Sequence, residues 1–273
     1  MIEVRGLYFG YHDEGIIQGV DLNIPDGQFV AFLGANGSGK STLVKHFNAL
    51  LRPSAGKVVI DGMDTSDQDK TIPIRQRVGM VFQNPDNQIV ATVVEDDVAF
   101  ALENLGVPPS EIRHRVDEAL KSVGLYELRE KEPHLLSGGQ KQRLAIASLV
   151  ALGPRILVFD EPTAMLDPVG RLDVARLVRD LLSQGRTIIY VTHNVDEIVE
   201  ADRIIVMGQG KVILDDSPSS LFSDPAKCAR FGIEIPAIPR MSNELVKSGY
   251  PDFRGVMTLD ELVEVSCRYR FRE

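Results

Sequence analysis

Eight residues, Gly34-Ala35-Asn36-Gly37-Ser38-Gly39-Lys40-Ser41, constrain this chain more than any other stretch. They follow the apolar run Phe29-Val30-Ala31-Phe32-Leu33 and open a helix-like segment over residues 42–51. The order is that of a phosphate loop: a glycine, four residues, Gly-Lys and a hydroxyl residue. Glycines let successive backbone N–H groups curl around phosphate oxygens, and the helix that begins there adds a favourable partial charge. Lys40 reaches the outer phosphates, and the Ser41 hydroxyl is offered to Mg²⁺.

Upstream, apolar and polar positions alternate (Ile2, Val4 and Leu7; Val20, Leu22 and Ile24), with turn chemistry at Asp13-Glu14-Gly15 and Pro25-Asp26-Gly27. Residues 2–33 therefore predict short antiparallel strands, a β-lobe beside the loop. Tyr11 in this lobe is either a strand aromatic or a ring that stacks on a base, and the residues alone leave both readings open. Residues 57–60 with Asp61-Gly62 make another strand and turn. Val78-Gly79-Met80-Val81-Phe82 is a buried strand that ends at Gln83, where a polar residue of an α/β sheet points at the ligand crevice.

Over residues 92–152 the period turns helical, with Val98, Leu102 and Leu105 on one stripe and Val116, Leu120 and Val123 on another. The insertion ends in Leu136-Ser137-Gly138-Gly139-Gln140-Lys141-Gln142-Arg143, a turn at a helix N-terminus and so a second place that attracts anions. Next, Ile156-Leu157-Val158-Phe159 closes on Asp160-Glu161, carboxylates at the tip of a central parallel strand. Asp160 is placed to hold the Mg²⁺ shell and Glu161 to polarise an attacking water. Of the five histidines only His193 follows a strand directly; His12, His46, His114 and His134 read as surface or packing residues. Residues 204–207 and 211–214 predict a closing hairpin. Beyond Ser220 four prolines appear, with short helices expected at 243–248 and 259–267, the second capped from Thr258 to Glu261.

No run of about 18 apolar residues is present and the first residues lack a secretion layout, which predicts a cytoplasmic protein. A net charge of −9 argues against nucleic acid, whose phosphates need clustered Lys and Arg, and suits a partner with basic cytoplasmic loops. Cys228 and Cys267 read as reduced, semi-buried thiols.

Taken in order, the phosphate loop, Gln83, Leu136-Ser137-Gly138-Gly139-Gln140, Asp160-Glu161 and His193 resemble the ATP-binding cassette (ABC) ATPase family over residues 1–220. The resemblance implies an α/β fold of the P-loop NTPase class, with a RecA-like core, an antiparallel β-lobe and a helical subdomain at about 86–153. It implies ATP and Mg²⁺ as ligands. Tyr11 would stack on adenine, and Gly34, Ala35, Asn36, Gly37, Ser38, Gly39, Lys40, Ser41 and Thr42 would hold phosphates. Ser137, Gly138, Gly139, Gln140 and Asp167 would approach the nucleotide from a second chain. Lys40, Gln83, Glu161 and His193 take catalytic roles, and Ser41, Gln83 and Asp160 surround Mg²⁺. Asp167 falls on the family's dimer-contact loop, where Ala164 and Met165 depart from the commonest wording.

Residues 81–88, residues 92–100 and Gly232-Ile233-Glu234-Ile235-Pro236 further resemble the ATPase subunit of energy-coupling factor (ECF) transporters, including the cobalt-type ones, and the wording of residues 136–143 resembles the first of two paralogous ATPases more than the second. That likeness implies uptake of a vitamin or transition-metal ion. It also implies a second ATPase subunit, self or paralogue, placed head to tail, a transmembrane coupling subunit and a substrate-binding membrane subunit. Residues 221–273 would be a C-terminal accessory and dimerisation lobe, and the whole a peripheral protein on the cytoplasmic face. Some of the carboxylates of Glu95-Asp96-Asp97 are expected to meet basic residues of the membrane partner; the alternative is a solvated acidic helix start that favours its own N-terminus. The rival reading is the ATPase of a conventional ABC importer that uses a separate binding protein. One phosphate loop and no long heptad insertion between Lys40 and Asp160 disfavour translation-type and chromosome-type relatives.

Overall fold

The computed structural model describes residues 1–11 and 14–270, so the readings of His12 and Asp13 lie outside the described residues. Alternation in the first stretch produces β1 (Ile2–Tyr11) and β2 (Glu14–Ile24), paired antiparallel with Ile2 opposite Ile24 and Val4 opposite Leu22. Their apolar faces are buried, as the period of two requires. β3 (Phe29–Leu33) is buried at every residue and leaves this lobe for a second, parallel sheet. That corrects the expectation that residues 2–33 form one antiparallel unit: an unbroken apolar run has no polar face to show to water, so it sits where both faces are covered.

The chain continues through α1 (Lys40–Phe47), β4 (Ala55–Ile60), β5 (Met63–Asp64), α2 (Thr71–Arg77) and β6 (Val78–Val81). Three long helices follow, α3 (Val94–Asn104), α4 (Pro109–Ser122) and α5 (Gly138–Leu152). The α3 stripe ends at Leu102, because Leu105 lies beyond the helix and is 41% exposed. Then come β7 (Ile156–Asp160), α6 (Pro168–Ser183), β8 (Thr187–Val191), β9 (Arg203–Gly208) and β10 (Lys211–Asp216). The first sheet has the order β2-β1-β4-β5, the second β10-β9-β3-β8-β7-β6, with only β10 antiparallel to its neighbour.

Strands β3 and β7 divide their side chains between two cores. Val30, Phe32, Ile156 and Val158 pack towards α1 and the β-lobe, while Ala31, Leu33, Leu157 and Phe159 pack towards α3, α5 and α6. The tips of β3 and β7 are thereby held by apolar contacts on both faces, which makes them rigid mounts for whatever follows.

Past β10, the structure has α7 (Pro218–Phe222), α8 (Pro225–Phe231), α9 (Ala237–Lys247) and α10 (Leu259–Arg270). α9 starts earlier than residue 243, directly after Pro236, and α8 carried no expectation. The Thr258 cap is present: Glu261 N–H donates to Thr258 Oγ1 at 3.3 Å, and Thr258 N–H to Glu261 Oε2 at 3.1 Å. A small cluster of Phe253, Val256 and Leu262 forms its own core here. Cys228 is buried, but Cys267 is exposed rather than semi-buried. No helix among the described residues is long and apolar enough to cross a membrane.

Candidate nucleotide site

The loop leaves β3 through Gly34, whose φ is 138° and where a Cβ would stand 2.2 Å from the Met207 carbonyl oxygen. Only glycine passes there. Gly39, at φ 101°, caps α1 without any side-chain bond, so the first N–H groups of the helix are left for a ligand. Lys40 is buried and folds back over the loop, its ammonium donating to the Gly34 and Ala35 carbonyls at 2.7 and 3.0 Å. Burial lowers the Lys40 pKa, against the opposite pull of Glu161 and Asp160. The Ser38 hydroxyl is buried with no partner among the described residues. A half-desolvated cation, an uncapped helix start and an orphan hydroxyl around one loop fit a phosphate chain.

At the tip of β7, Asp160 is 4% exposed and accepts the Ser41 hydroxyl at 2.8 Å. Burial raises its pKa, outweighing the Ser41 bond and the nearby Lys45 and Lys40 charges. A hydroxyl and a carboxylate with unusual proton affinity form a hard-oxygen pair that suits Mg²⁺, which takes few protein ligands beside phosphate and water. Ser41 and Asp160 would hold it.

Glu161 adopts φ 52°, rare for a residue with a side chain, while its N–H donates to the Val191 carbonyl at 2.9 Å. This aims the carboxylate across the cleft. Gln83 Nε2 donates to Glu161 Oε2 at 3.0 Å, and His193 Nδ1 lies 3.5 Å from Oε1. Gln83 thus contacts Glu161 and not the Ser41–Asp160 pair. The cleft has a volume of about 950 Å³ and is walled by residues 34–42, Gln83, Glu161, Ala164 and His193, with Glu14 and Ile16 from β2.

Tyr11 is not among these walls; it stands edge-on to Phe9 at 5.0 Å, and Phe9 is edge-on to the buried His46 at 4.8 Å. His46 is a packing residue whose Nδ1 meets the Thr42 carbonyl at 2.8 Å. The turn Ser137-Gly138-Gly139-Gln140, the signature turn, also stands off the cleft. Ser137 caps α5, its hydroxyl accepting Gln140 N–H at 3.3 Å while its own N–H donates to Gln140 Oε1 at 2.9 Å. Asp167 caps α6 by accepting Gly170 N–H at 2.8 Å. In one chain, Ser137–Gly138–Gly139–Gln140 and Lys40 share no wall.

Some residues that shape the site carry no signal in a linear reading. Gln88 completes the end of β6 with its side chain, accepting Phe82 N–H at 2.9 Å and donating to the Met80 carbonyl at 3.2 Å. That anchors the loop bearing Gln83. Lys141, next to the signature turn, donates to Asp86 Oδ1 at 2.7 Å, so α5 and the Gln83 loop are joined. The three carboxylates of the acidic run have different surroundings. Asp97 is buried and accepts the Val90 and Ala91 N–H groups at 2.7 and 3.1 Å, and Glu95 pairs with Arg113 at 3.0 Å; only Asp96 faces solvent unpaired among the ion pairs described.

A family model described as ABC transporter matches residues 17–164. The energy-coupling factor transporter ATP-binding protein EcfA1 of Clostridium novyi (strain NT) is 49% identical over 276 residues, covering 99% of each chain. The solved structure of cbiO1 from Clostridium perfringens, part of the ABC transporter complex cbiONQ, superposes with a TM-score of 0.75 at 38% identity, over 88% of this chain and 97% of that one. A dimeric post-hydrolysis state of the ATP-binding cassette MJ0796 bound to ADP and Pi gives 0.74 at 31% identity, over 80% and 99%. A phosphate loop at the tip of β3 and paired carboxylates at the tip of β7, two parallel strands on either side of β8, define an ATP-hydrolysing cassette, and this chain belongs to the ABC transporter family. Within that family it is of the energy-coupling factor type.

Proposed function

We propose that this chain powers an ECF-type importer by clamping ATP between two ATPase subunits and hydrolysing it there. The observation that carries this reading is the division of the site: Lys40, Ser41, Gln83, Glu161 and His193 surround one cleft, while Ser137 to Gln140 lie off it. An anion-seeking turn that cannot reach its own chain's cleft is suited to another's. Loop N–H groups and Lys40 hold the phosphates, Glu161 polarises the attacking water with Gln83 orienting its carboxylate, and Lys40 with His193 stabilises charge on the departing phosphate. Mg²⁺ bound at Ser41 and Asp160 supplies neutralisation of phosphate charge. Tyr11, from the β-lobe, stacks on the adenine.

Closure on ATP and opening after hydrolysis then act on a transmembrane coupling subunit docked at the loop after Gln83 and at α3, with Asp96 as the free acidic contact. Residues 221–273 form the lobe that adds contacts between the two ATPases, beside a cassette over residues 1–220 with its helical part at about 86–153. The complex sits at the cytoplasmic face of the membrane, and a small membrane subunit selects the vitamin or metal ion. Mass analysis of the membrane complex retained by the tagged chain tests this. A coupling subunit plus a small substrate-capturing membrane protein is expected; paired permease subunits that work with a separate binding protein would replace this reading by that of a conventional importer.

A further inference from the structure

Glu197 lies on the helical turn Val195–Ile198, just past His193, and does not line the cleft. Four neutral donors fill its carboxylate. Oε1 accepts the Thr163 hydroxyl at 2.6 Å and the Asn194 amide at 3.1 Å; Oε2 accepts the Thr192 hydroxyl at 3.0 Å and the Tyr190 hydroxyl at 3.3 Å. Tyr190, Thr192 and Asn194 belong to β8 and the loop that carries His193. Thr163 belongs to the other loop, two residues beyond Glu161. Bonds to an ionised acceptor are shorter and stronger than neutral ones, so this carboxylate is a firm bridge between the two loops. Such a bridge has work to do, because the left-handed backbone of Glu161 persists only where its surroundings over-determine it.

We propose that Glu197 is a positioning residue that fixes Glu161 relative to His193 by clamping Thr163 to Thr192. The idea rests on the roles given above to Glu161 and His193. Because Glu197 stands outside the cleft, its loss leaves the nucleotide-binding surface intact and displaces the groups that act during turnover. A misplacement of about 1 Å is enough to slow a reaction by about a hundredfold.

The test compares Glu197→Ala, Glu197→Gln and Thr163→Val with Glu161→Gln and the parent, in the full chain, with turnover expressed per folded molecule from thermal melts. We expect kcat to fall by about tenfold to a hundredfold in Glu197→Ala and by about tenfold in Thr163→Val, with the ATP Kd from calorimetry changed less than about twofold. Glutamine keeps the oxygen that accepts from Thr163, and the Thr192 and Tyr190 hydroxyls can rotate to accept from its amide. Glu197→Gln therefore recovers most of the lost kcat. The double variant Glu197→Ala with Thr163→Val is no slower than Glu197→Ala alone, since one network is removed in both. Turnover within about twofold of the parent in Glu197→Ala and Thr163→Val, while Glu161→Gln stays slow, overturns the positioning role alone. A loss of ATP affinity that accounts for the whole loss of kcat/KM overturns it too, and parent-like turnover in Glu161→Gln overturns the reading of the site instead.

Discussion

Ser41 and Asp160, 119 residues apart in the chain, meet through a 2.8 Å hydrogen bond at the junction of α1 and β7. The bond does not offset the burial of Asp160, whose pKa stays raised above its ordinary 3.8. Such a group stabilises the fold fully below that ordinary value, and the benefit is lost as pH rises through the folded pKa. At neutral pH the buried charge is a net liability until a cation neutralises it. Asp160→Asn should thus raise the melting temperature of the nucleotide-free protein at pH 7, flatten its dependence between pH 4 and 7, and slow Mg²⁺-ATP turnover by at least about a hundredfold. A nucleotide-free variant that melts below the parent at pH 7 would refute the electrostatic account.

Glu161 faces the cleft with Gln83 and His193 on its two oxygens. Glu161→Gln should retain ATP affinity within a few-fold and lose turnover by orders of magnitude, accumulating a closed pair of ATPase subunits. Size-exclusion chromatography with ATP and steady-state turnover read both effects. Turnover within a few-fold of the parent removes Glu161 from the role of polarising base.

A Cβ at Gly138 would meet only Met165 Sδ at 3.6 Å, so a side chain fits there without disturbing the fold. The turn is off its own cleft, and Gly138→Asp should leave the ATP Kd of the single chain within about twofold while turnover falls by more than about a hundredfold. Lys40→Ala should instead lose ATP binding outright. Equal loss of binding in both variants would mean that one chain's two anion-seeking ends grip the same nucleotide.

Asp97 and Asp96 are neighbours with opposite surroundings. Asp97→Ala removes a buried carboxylate that accepts the Val90 and Ala91 N–H groups and should cost about 1–3 kcal/mol, a fall in melting temperature of roughly 2–10 °C. Asp96→Lys should leave the melt unchanged within about 2 °C and weaken retention of the membrane partner at low salt. Intact assembly of Asp96→Lys at low salt removes this carboxylate from the docking face.

Much of the site was legible because its chemistry is local. Gly34 to Ser41, Asp160-Glu161 and His193 each sit at the end of a run of apolar residues, and strand tips of a parallel sheet converge on one edge. The Thr258 cap was legible for the same reason, since it joins residues three apart. Gln88, Lys141, Asp97 and Glu197 were not, because each is a polar residue in a polar stretch and acquires its partner only through the path of the chain. Gln88 becomes a piece of strand, and Asp97 becomes a buried clasp in place of a surface charge.

From the sequence alone came the parallel core, the phosphate loop at the tip of β3, the carboxylate pair at the tip of β7 and the helical insertion, all consequences of short-range pattern and backbone chemistry. Tertiary structure decided that β3 leaves the antiparallel lobe, that Gln83 leans on Glu161, that Tyr11 packs on Phe9, and that the Ser137 turn stands away from Lys40. Those outcomes depend on how elements distant in sequence pack and on which polar groups are thereby buried. A linear pattern carries no record of such distances.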